Sequence, residues 1–168
     1  GSNEVTSADN DPVLPFGFGL GYTSFAHEGL TVPAEVEAGH PFEASVRVRN
    51  TGERAGTDVV QLYAHDVFAS VTRPVAQLVA YQRLTLDPGE EATVVFEVPA
   101  SRLAFTGRDG ARIVEPGDIR LWVGSSCADH ETETMLTLTG EVARITADHA
   151  RIARARIDRV ATESPVPA

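Results

Sequence analysis

The chain contains no lysine, and it has one cysteine, one tryptophan and one methionine. All 14 basic residues are arginine, against 24 acidic residues, which gives a formal net charge of −10. Nucleic acids and anionic membranes attract proteins with local positive charge, so this balance argues against both as partners. The lone Cys127 excludes an intrachain disulfide and leaves the redox compartment undetermined.

Long apolar runs are also missing, so the sequence predicts no membrane-spanning helix and no membrane partner. No signal-peptide pattern opens the chain, and Gly1-Ser2 is typical of an expression scar, which implies that the natural N-terminus is missing and leaves localisation, cytoplasmic or secreted, unknown. The 168 residues, 42% of them hydrophobic, fit one globular domain with tails. Five arginines crowd the last quarter and are interpreted as a solvated face: Arg144, Arg151, Arg154, Arg156 and Arg159.

Catalytic and cofactor motifs are absent from the sequence: it has no nucleophile elbow, no phosphate-binding loop and no zinc-ligand spacing. The five histidines are scattered and are expected in turns or on the surface, so we predict no metal and no cofactor. The only acid/base candidates are the pair His65-Asp66 and the two carboxylates Asp109 and Glu115. Asp109 precedes Gly110 and Glu115 precedes Pro116, positions where turns favour these residues, so structural roles are the better interpretation.

The most distinctive segment is an aromatic and glycine-rich run at residues 15–25. Glycine lets a backbone approach another surface closely, and aromatic side chains offer large areas for burial. We therefore expect residues 14–29, hereafter the strap, to lie on a surface and to dock there through four aromatics: Phe16, Phe18, Tyr22 and Phe25. Residues 1–13 are predicted to be the scar and a flexible linker.

Residues 30–140 alternate apolar and polar side chains with period two, which is typical of half-buried strands. The clearest example is Phe42, Ala44, Val46 and Val48, with polar residues between them. Turn sequences such as Asp87-Pro88-Gly89 separate the runs. The pattern predicts an all-β fold, an immunoglobulin/fibronectin type III-like antiparallel sandwich of about seven to eight strands.

The C-terminal extension, residues 141–168, fits two structures. Ala150, Ala153, Ile157 and Val160 have helical spacing, whereas Ala153, Ala155 and Ile157 also alternate with charged residues as in a strand. Both alternatives stay open, followed by a frayed tail.

Three aromatics and one arginine are further binding candidates. Trp122, Tyr63 and Tyr81 could form sugar-stacking platforms on a sheet face, although a Trp that covers a sheet is the commoner case. Arg73 lies in the polar loop 70–74, where it could bind a carboxylate of a partner or belong to a plain connector.

Several segments, in this order and spacing, resemble one known family: residues 15–25, 48–52 leading to 56–63, 70–74 with 77–78, 86–90 and 114–117. Together they are similar to the C-terminal fibronectin type III-like domain of family 3 glycoside hydrolases, the β-glucosidase and β-xylosidase group, with a leaning toward bacterial members. The resemblance covers roughly residues 14–140.

The resemblance implies that the catalytic residues lie in a barrel domain and an α/β domain that precede this module, so none carries over to this chain. The implied function is a non-catalytic accessory domain that packs on those two domains and stabilises them, with the strap as the junction. The alternative is a carbohydrate- or polymer-binding sandwich that uses exposed aromatics. An uncovered strap also predicts possible self-association of the isolated chain.

Overall fold

The computed structural model describes residues 12–159, and these residues form strands joined by turns and one short 3-10 helix at Ala100–Arg102. The strands, in chain order, are β1 (Phe25–Thr31), β2 (Glu35–Glu37), β3 (Phe42–Asn50), β4 (Gly56–Asp66), β5 (Gln77–Leu86), β6 (Glu91–Val98), β7 (Phe105–Thr106), β8 (Arg112–Val114), β9 (Gly117–Gly124), β10 (Thr132–Thr139), β11 (Ala143–Arg144) and β12 (Arg154–Arg159).

Two main sheets face each other. The first sheet has the order β1-β3-β6-β12, and all of its neighbours pair antiparallel. The second sheet has the order β2-β10-β9-β4-β5, in which only the β2–β10 pair is parallel among the described strands. Strands β11, β8 and β7 form a small third sheet. The all-β sandwich predicted from the sequence is confirmed.

The core lies between the two main sheets and is built from the alternating residues of their strands. Fully buried members of the first sheet are Val46, Val48, Val94 and Phe96, and those of the second sheet are Leu62, Leu86, Leu121 and Val123. Burial of such side chains contributes about 1.5–3 kcal/mol each, so this interface holds the sandwich together.

Eight of the twelve strands have six or more residues, and the four others have only two or three. The expected count of seven to eight is lower because β2 and β11, with three and two residues, are too short to show alternation, and because the structure of residues 141–168 was left open. β1 starts at Phe25, inside the segment that the sequence assigns to the strap. A bulge between Glu28 and Thr31, with Gly29 at φ +64°, interrupts the alternation there.

The extension that fitted both a helix and a strand forms strand β12 between Arg154 and Arg159. β12 pairs antiparallel with β6, and Ala155 and Ile157 pack against the core. Alternate arginines point to solvent, and Arg156 contacts Glu43 at 2.8 Å. Pairing with the edge of β6 therefore selects the strand, which the local sequence pattern could not distinguish from a helix. Residues 160–168 lie outside the described residues.

Within residues 12–159, no helix has the length and apolar character needed to cross a membrane.

Candidate docking surface

The N-terminal half of the strap lies on the outer face of the second sheet, where side chains of β4 bind its backbone. The amide of Gln61 donates to the carbonyl of Gly17 at 3.1 Å, and the hydroxyl of Tyr63 lies 3.2 Å from the carbonyl of Phe16. The backbone N–H of Cys127 donates to the same Phe16 carbonyl at 2.9 Å. The strap thus joins β4 and the β9–β10 loop.

Gly17 is required for this close approach. Its φ of +89° is a conformation that side chains rarely adopt, and a Cβ there would overlap Gln61 Oε1 and the hydroxyl of Tyr63. The glycines that mark the strap in the sequence therefore have a packing reason at this position.

A second anchor holds the C-terminal end of the strap through the buried Asn50. The hydroxyl of Thr23 donates to Asn50 Oδ1 at 2.8 Å, and the N–H of Thr51 donates to the carbonyl of Ser24 at 2.8 Å. The amide of Asn50 also donates to the carbonyls of Leu86 and Arg54, so its donors are satisfied inside the domain.

Two further glycines make room for Thr23. A Cβ at Gly52 would overlap its hydroxyl oxygen, and a Cβ at Gly56 would overlap its methyl group. The sequence motifs at 50–52 and 56–63 are therefore the seat of the strap, which explains why they accompany it in the chain.

The strap presents every second residue to solvent as a large apolar side chain, while proline, glycine and threonine alternate with them. These exposed side chains, hereafter the apolar ridge, are Leu14, Phe16, Phe18, Leu20 and Tyr22. Leu20 is 91% exposed and Tyr22 is 97% exposed. Several large apolar side chains exposed along one segment mark a candidate interaction surface.

Between the two anchors the strap arches over a cavity of about 280 Å³. The floor of this cavity contains His27, Asp58 and Glu131. His27 is 4% exposed; its Nε2 lies 2.8 Å from Asp58 Oδ2, and its Nδ1 lies 3.0 Å from Glu131 Oε1. The prediction that the histidines lie in turns or on the surface is wrong for His27.

The two carboxylates determine the protonation of His27. Burial by itself lowers the pKa of an imidazole, but the hydrogen bond and charge of Asp58, together with the charge of Glu131, outweigh it and raise the pKa of His27 above its ordinary value. The imidazole is therefore easier to protonate than an exposed histidine.

Two of the three sugar-stacking candidates are buried in a stack on the outer face of the second sheet. Trp122 lies between Tyr63, with ring centroids 5.6 Å apart, and His130, at 4.4 Å. Trp122 is 1% exposed and Tyr63 is 0% exposed, so neither ring face is open to a sugar. Only Tyr81 of these three is exposed. The interpretation of Trp122 as a residue that covers a sheet face fits this position.

The hydroxyl of Tyr63 is part of the seat rather than a free group. It lies 2.7 Å from Gln61 Oε1, beneath the strap. Burial, and to a lesser degree the nearby Cys127, raises the pKa of Tyr63 to about 12, so the phenol stays neutral.

Two of the predicted docking residues are used within the domain. Phe25 opens β1 and packs against the core. The guanidinium of Arg73 donates to the carbonyl of Leu103 at 2.9 Å and lies 4.5 Å from the ring centre of Phe105, with Asp66 at 3.9 Å. Its side chain is only 9% exposed, so it stabilises its own loop and does not reach for a partner carboxylate.

The loop around Arg73 nevertheless exposes apolar side chains, those of Phe68 and Val75. Glu115 holds this loop, because its carboxylate accepts hydrogen bonds from the N–H and hydroxyl of Ser70 at 3.0 and 2.7 Å. Glu115 therefore has the structural role that its turn position indicated.

The other acid/base candidates also have structural surroundings. Asp109 accepts a hydrogen bond from the N–H of Ala111 and pairs with Arg144 at 2.8 Å; both contacts lower its pKa, the opposite of a general acid's requirement. Burial raises the pKa of Asp66, which lies beside Arg73. In residues 12–159 no group of three or more histidine, cysteine or acidic side chains is arranged to hold a metal.

The outer face of the first sheet differs, since it is covered with exposed ion pairs. Arg47 contacts Glu28 at 3.0 Å and Glu91 at 3.6 Å, and Arg156 contacts Glu43 at 2.8 Å. Such pairs add little stability but keep a face soluble. The apolar ridge and the charged face therefore lie on opposite sides of the sandwich.

Sequence reasoning missed two residues that seat the strap, Asn50 and Gln61, and it missed the burial of His27. The signal for Asn50 was its place before Thr51-Gly52, which reads as an ordinary turn. Gln61 lies in an apolar strand. A single polar residue on the outer face of such a strand looks like any solvent-facing residue, so the sequence pattern does not mark it as a contact of the strap.

Comparison with known proteins places this architecture in a family. The sequence model of the fibronectin type III-like domain matches residues 58–127. A periplasmic β-glucosidase of Salmonella typhimurium is 39% identical over 120 residues, which are 71% of this chain and 16% of that protein. A β-xylosidase of Formosa agariphila is 36% identical over 136 residues, 80% of this chain and 19% of that protein.

Solved structures agree with the sequence relatives. A β-glucosidase from Listeria innocua in complex with glucose superposes with a TM-score of 0.76 at 33% identity, covering 84% of this chain and 19% of that one. A β-glucosidase from Erythrobacter marinus gives a TM-score of 0.72 at 39% identity, and the match covers 80% of this chain and 18% of that one.

The chain spans less than a fifth of the length of these curated relatives, and the part that it matches is an accessory, non-catalytic domain. The resemblance drawn from the motifs is thus confirmed, and the chain belongs to the fibronectin type III-like domains that β-glucosidases and β-xylosidases of glycoside hydrolase family 3 carry.

Proposed function

We propose that this chain is the C-terminal accessory domain of a longer glycosidase that acts on β-glucosides or β-xylosides, and that its apolar ridge packs against the catalytic domains of the same polypeptide. The observation that carries the proposal is the ridge itself. Five large side chains point away from a domain whose own core is complete without them.

The strap that carries the ridge is bonded to the sandwich before any partner arrives. Both ends of the strap are bonded to the sandwich, through Gln61 and Tyr63 at one end and Asn50 at the other. A partner that binds a preorganised surface does not have to pay for ordering it, so even a modest apolar contact gives net stabilisation.

The loop 67–76 extends the same surface. The strap crosses β4 from Gly56, beneath Thr23, to Tyr63, beneath Phe16. β4 ends at Asp66, and the loop that exposes Phe68 and Val75 begins there. Strap and loop therefore follow one another along β4, while the charged face of the first sheet remains for solvent.

The experiment uses the intact polypeptide in which this chain lies, and calorimetry of its unfolding. Leu20→Ser combined with Tyr22→Ser removes two exposed ridge side chains without touching the seat. If the ridge is buried against the catalytic domains, the double substitution should reduce the stabilising free energy between this domain and the catalytic domains by about 2–4 kcal/mol. The reason is that each side chain loses its burial. The unfolding transition of this domain should then separate from that of the catalytic domains and occur at a lower temperature.

The matched control is Val142→Ser with Ile152→Ser, which removes two exposed apolar side chains outside the ridge. It should leave the transition of the intact polypeptide in place. Equal effects of both pairs, or a polypeptide without glycosidase activity toward aryl β-glucosides and β-xylosides, would contradict the proposal.

A further inference from the structure

Three charged or titratable side chains from three different elements meet beneath the strap. His27 comes from β1, Asp58 from β4, and Glu131 from the loop between β9 and β10. Their side chains are 2%, 15% and 26% exposed. The docking surface lies above them, yet none of the three contributes to the ridge.

The same β9–β10 loop also holds the strap. Glu131 accepts a hydrogen bond from the backbone N–H of His27 at 3.1 Å, in addition to its contact with the imidazole. Four residues earlier, the N–H of Cys127 donates to the carbonyl of Phe16. Gln61 ties the loop once more, because its amide donates both to Ser125 and to Gly17. Glu131 therefore belongs to a loop that is bonded to the N-terminal anchor of the strap through Cys127 and, by way of Gln61, through Ser125.

Both ring nitrogens of His27 face carboxylate oxygens, an arrangement that favours the protonated imidazole. Nε2 of His27 can donate to Asp58 in either charge state, but Nδ1 then faces Glu131 Oε1 at 3.0 Å. The contact at Nδ1 is within ion-pair distance but lacks hydrogen-bond alignment. When the proton leaves, a lone pair faces a carboxylate, and two carboxylates remain without a counter-charge.

The neighbouring charged groups in the described chain do not replace that proton. Glu28 of β1 turns to the opposite face, where it pairs with Arg47 of β3. Asp129 is bonded to Ser125, and His130 stacks on Trp122 and contacts Glu133. Among residues 14–24 of the strap, Tyr22 alone has a titratable side chain, and it is exposed.

We propose that His27, Asp58 and Glu131 form a latch that holds the strap on the sandwich while the imidazole carries a proton and loosens it when that proton leaves. The sign follows from linkage. The folded state binds the proton more tightly than the unfolded chain, so the stabilisation is complete below the ordinary pKa of histidine and is lost as the pH rises through the raised pKa of His27.

The test is amide hydrogen exchange of the chain by NMR between pH 6 and pH 9, corrected for the intrinsic exchange rate. The reporters are Cys127 N–H and Thr51 N–H, which donate to Phe16 and Ser24 of the strap. Protection of Cys127 should fall as His27 titrates, by roughly tenfold for each pH unit by which the imidazole titrates above an exposed histidine. Thr51 should follow more weakly, because its anchor lies at the other end.

Three variants make the test decisive. His27→Gln should abolish the pH dependence, and Glu131→Gln, which keeps an acceptor for the N–H of His27, should shift its midpoint to lower pH. His130→Gln is the control for the other nearby histidine and should leave the profile unchanged. A pH-independent protection of Cys127, or a normal profile in Glu131→Gln, overturns the latch.

The effect of the latch on docking rests on the proposed function, whereas the latch itself is measured on this chain alone. A strap that is pH-independent in this chain overturns the latch and leaves docking untouched. A ridge variant without effect in the intact polypeptide overturns docking and leaves the latch standing.

Discussion

Gly17 lies closer to the second sheet than any side chain would allow, because its carbonyl binds Gln61 where a Cβ would overlap the same side chain. Glycine here supplies both the positive φ and the space. The neighbouring Gly19 lies over the cavity, and a Cβ there would meet no atom of residues 12–159 within 4 Å. The two glycines are alike in sequence and differ in structure.

This difference predicts unequal effects of the same substitution. Gly17→Ala should cost about 1–3 kcal/mol, from backbone strain and the displaced seat, and should reduce the protection of Cys127 N–H. Gly19→Ala should change the free energy of unfolding by less than about 0.5 kcal/mol. Denaturant unfolding with hydrogen exchange measures both; equal effects would mean that the strap does not depend on this contact.

Single residues also set the limit of prediction from sequence. The exposed aromatics of the strap could be foreseen, since a run so apolar and so glycine-rich needs a surface. The burial of His27 could not, because its partners Asp58 and Glu131 are 31 and 104 positions away in the chain. Arg73 shows the reverse case, where a plausible binding residue is occupied by a carbonyl and a ring of its own domain.

At the scale of elements, β12 decides how the first sheet ends. It pairs with β6 along six residues, and Arg159 reaches across to the carbonyl of Thr85 in β5 at 3.0 Å. An open β6 edge would present free N–H and C=O groups to other chains. The extension therefore closes the sandwich on the side opposite β1.

Ile157 and Ile152 test this role as a matched pair. Ile157 packs partly buried against the core, whereas Ile152 is 81% exposed. Ile157→Ser should lower the free energy of unfolding by about 1–3 kcal/mol, because it removes apolar burial from a strand that stabilises its edge. Ile152→Ser should be close to neutral in the same urea titration. A neutral Ile157→Ser would show that β12 adds little to the fold.

Elements with a clear period were predictable, and those whose structure depends on distant pairing were not. β3 alternates buried and more exposed side chains along its length, and the sequence pattern predicted it in place. β12 has an alternating and a helical pattern at once, and only the free edge of β6 selects the strand. β1 was hidden by its bulge at Gly29 and by the apolar run before it.

At the scale of the whole molecule, a charged face and an apolar ridge lie on opposite sides of one acidic sandwich. The seat of the strap unites the motifs at 15–25, 50–52 and 56–63, which are scattered in sequence and contiguous in space. The sequence identified the motifs and the family but not this shared purpose, because hydrogen bonds between a loop backbone and strand side chains leave no periodic signal.

With its ridge uncovered, the isolated chain should self-associate weakly at high concentration, as exposed apolar patches of this kind do. The net charge of −10 opposes this contact, so association should strengthen when salt screens the repulsion between copies. Sedimentation velocity at low and at roughly 0.5 M salt measures the shift toward dimer.

Leu20→Ser with Tyr22→Ser should return the chain to a monomer at both salt concentrations, whereas Val142→Ser with Ile152→Ser should not. Each double variant replaces two exposed apolar side chains by serine in a different place, so a difference between them points to the ridge as the contact. Were both to abolish association, the contact would follow general surface hydrophobicity. If neither double variant abolished association, self-association would involve another face. The ridge would then contact the partner domain but not a second copy of the chain.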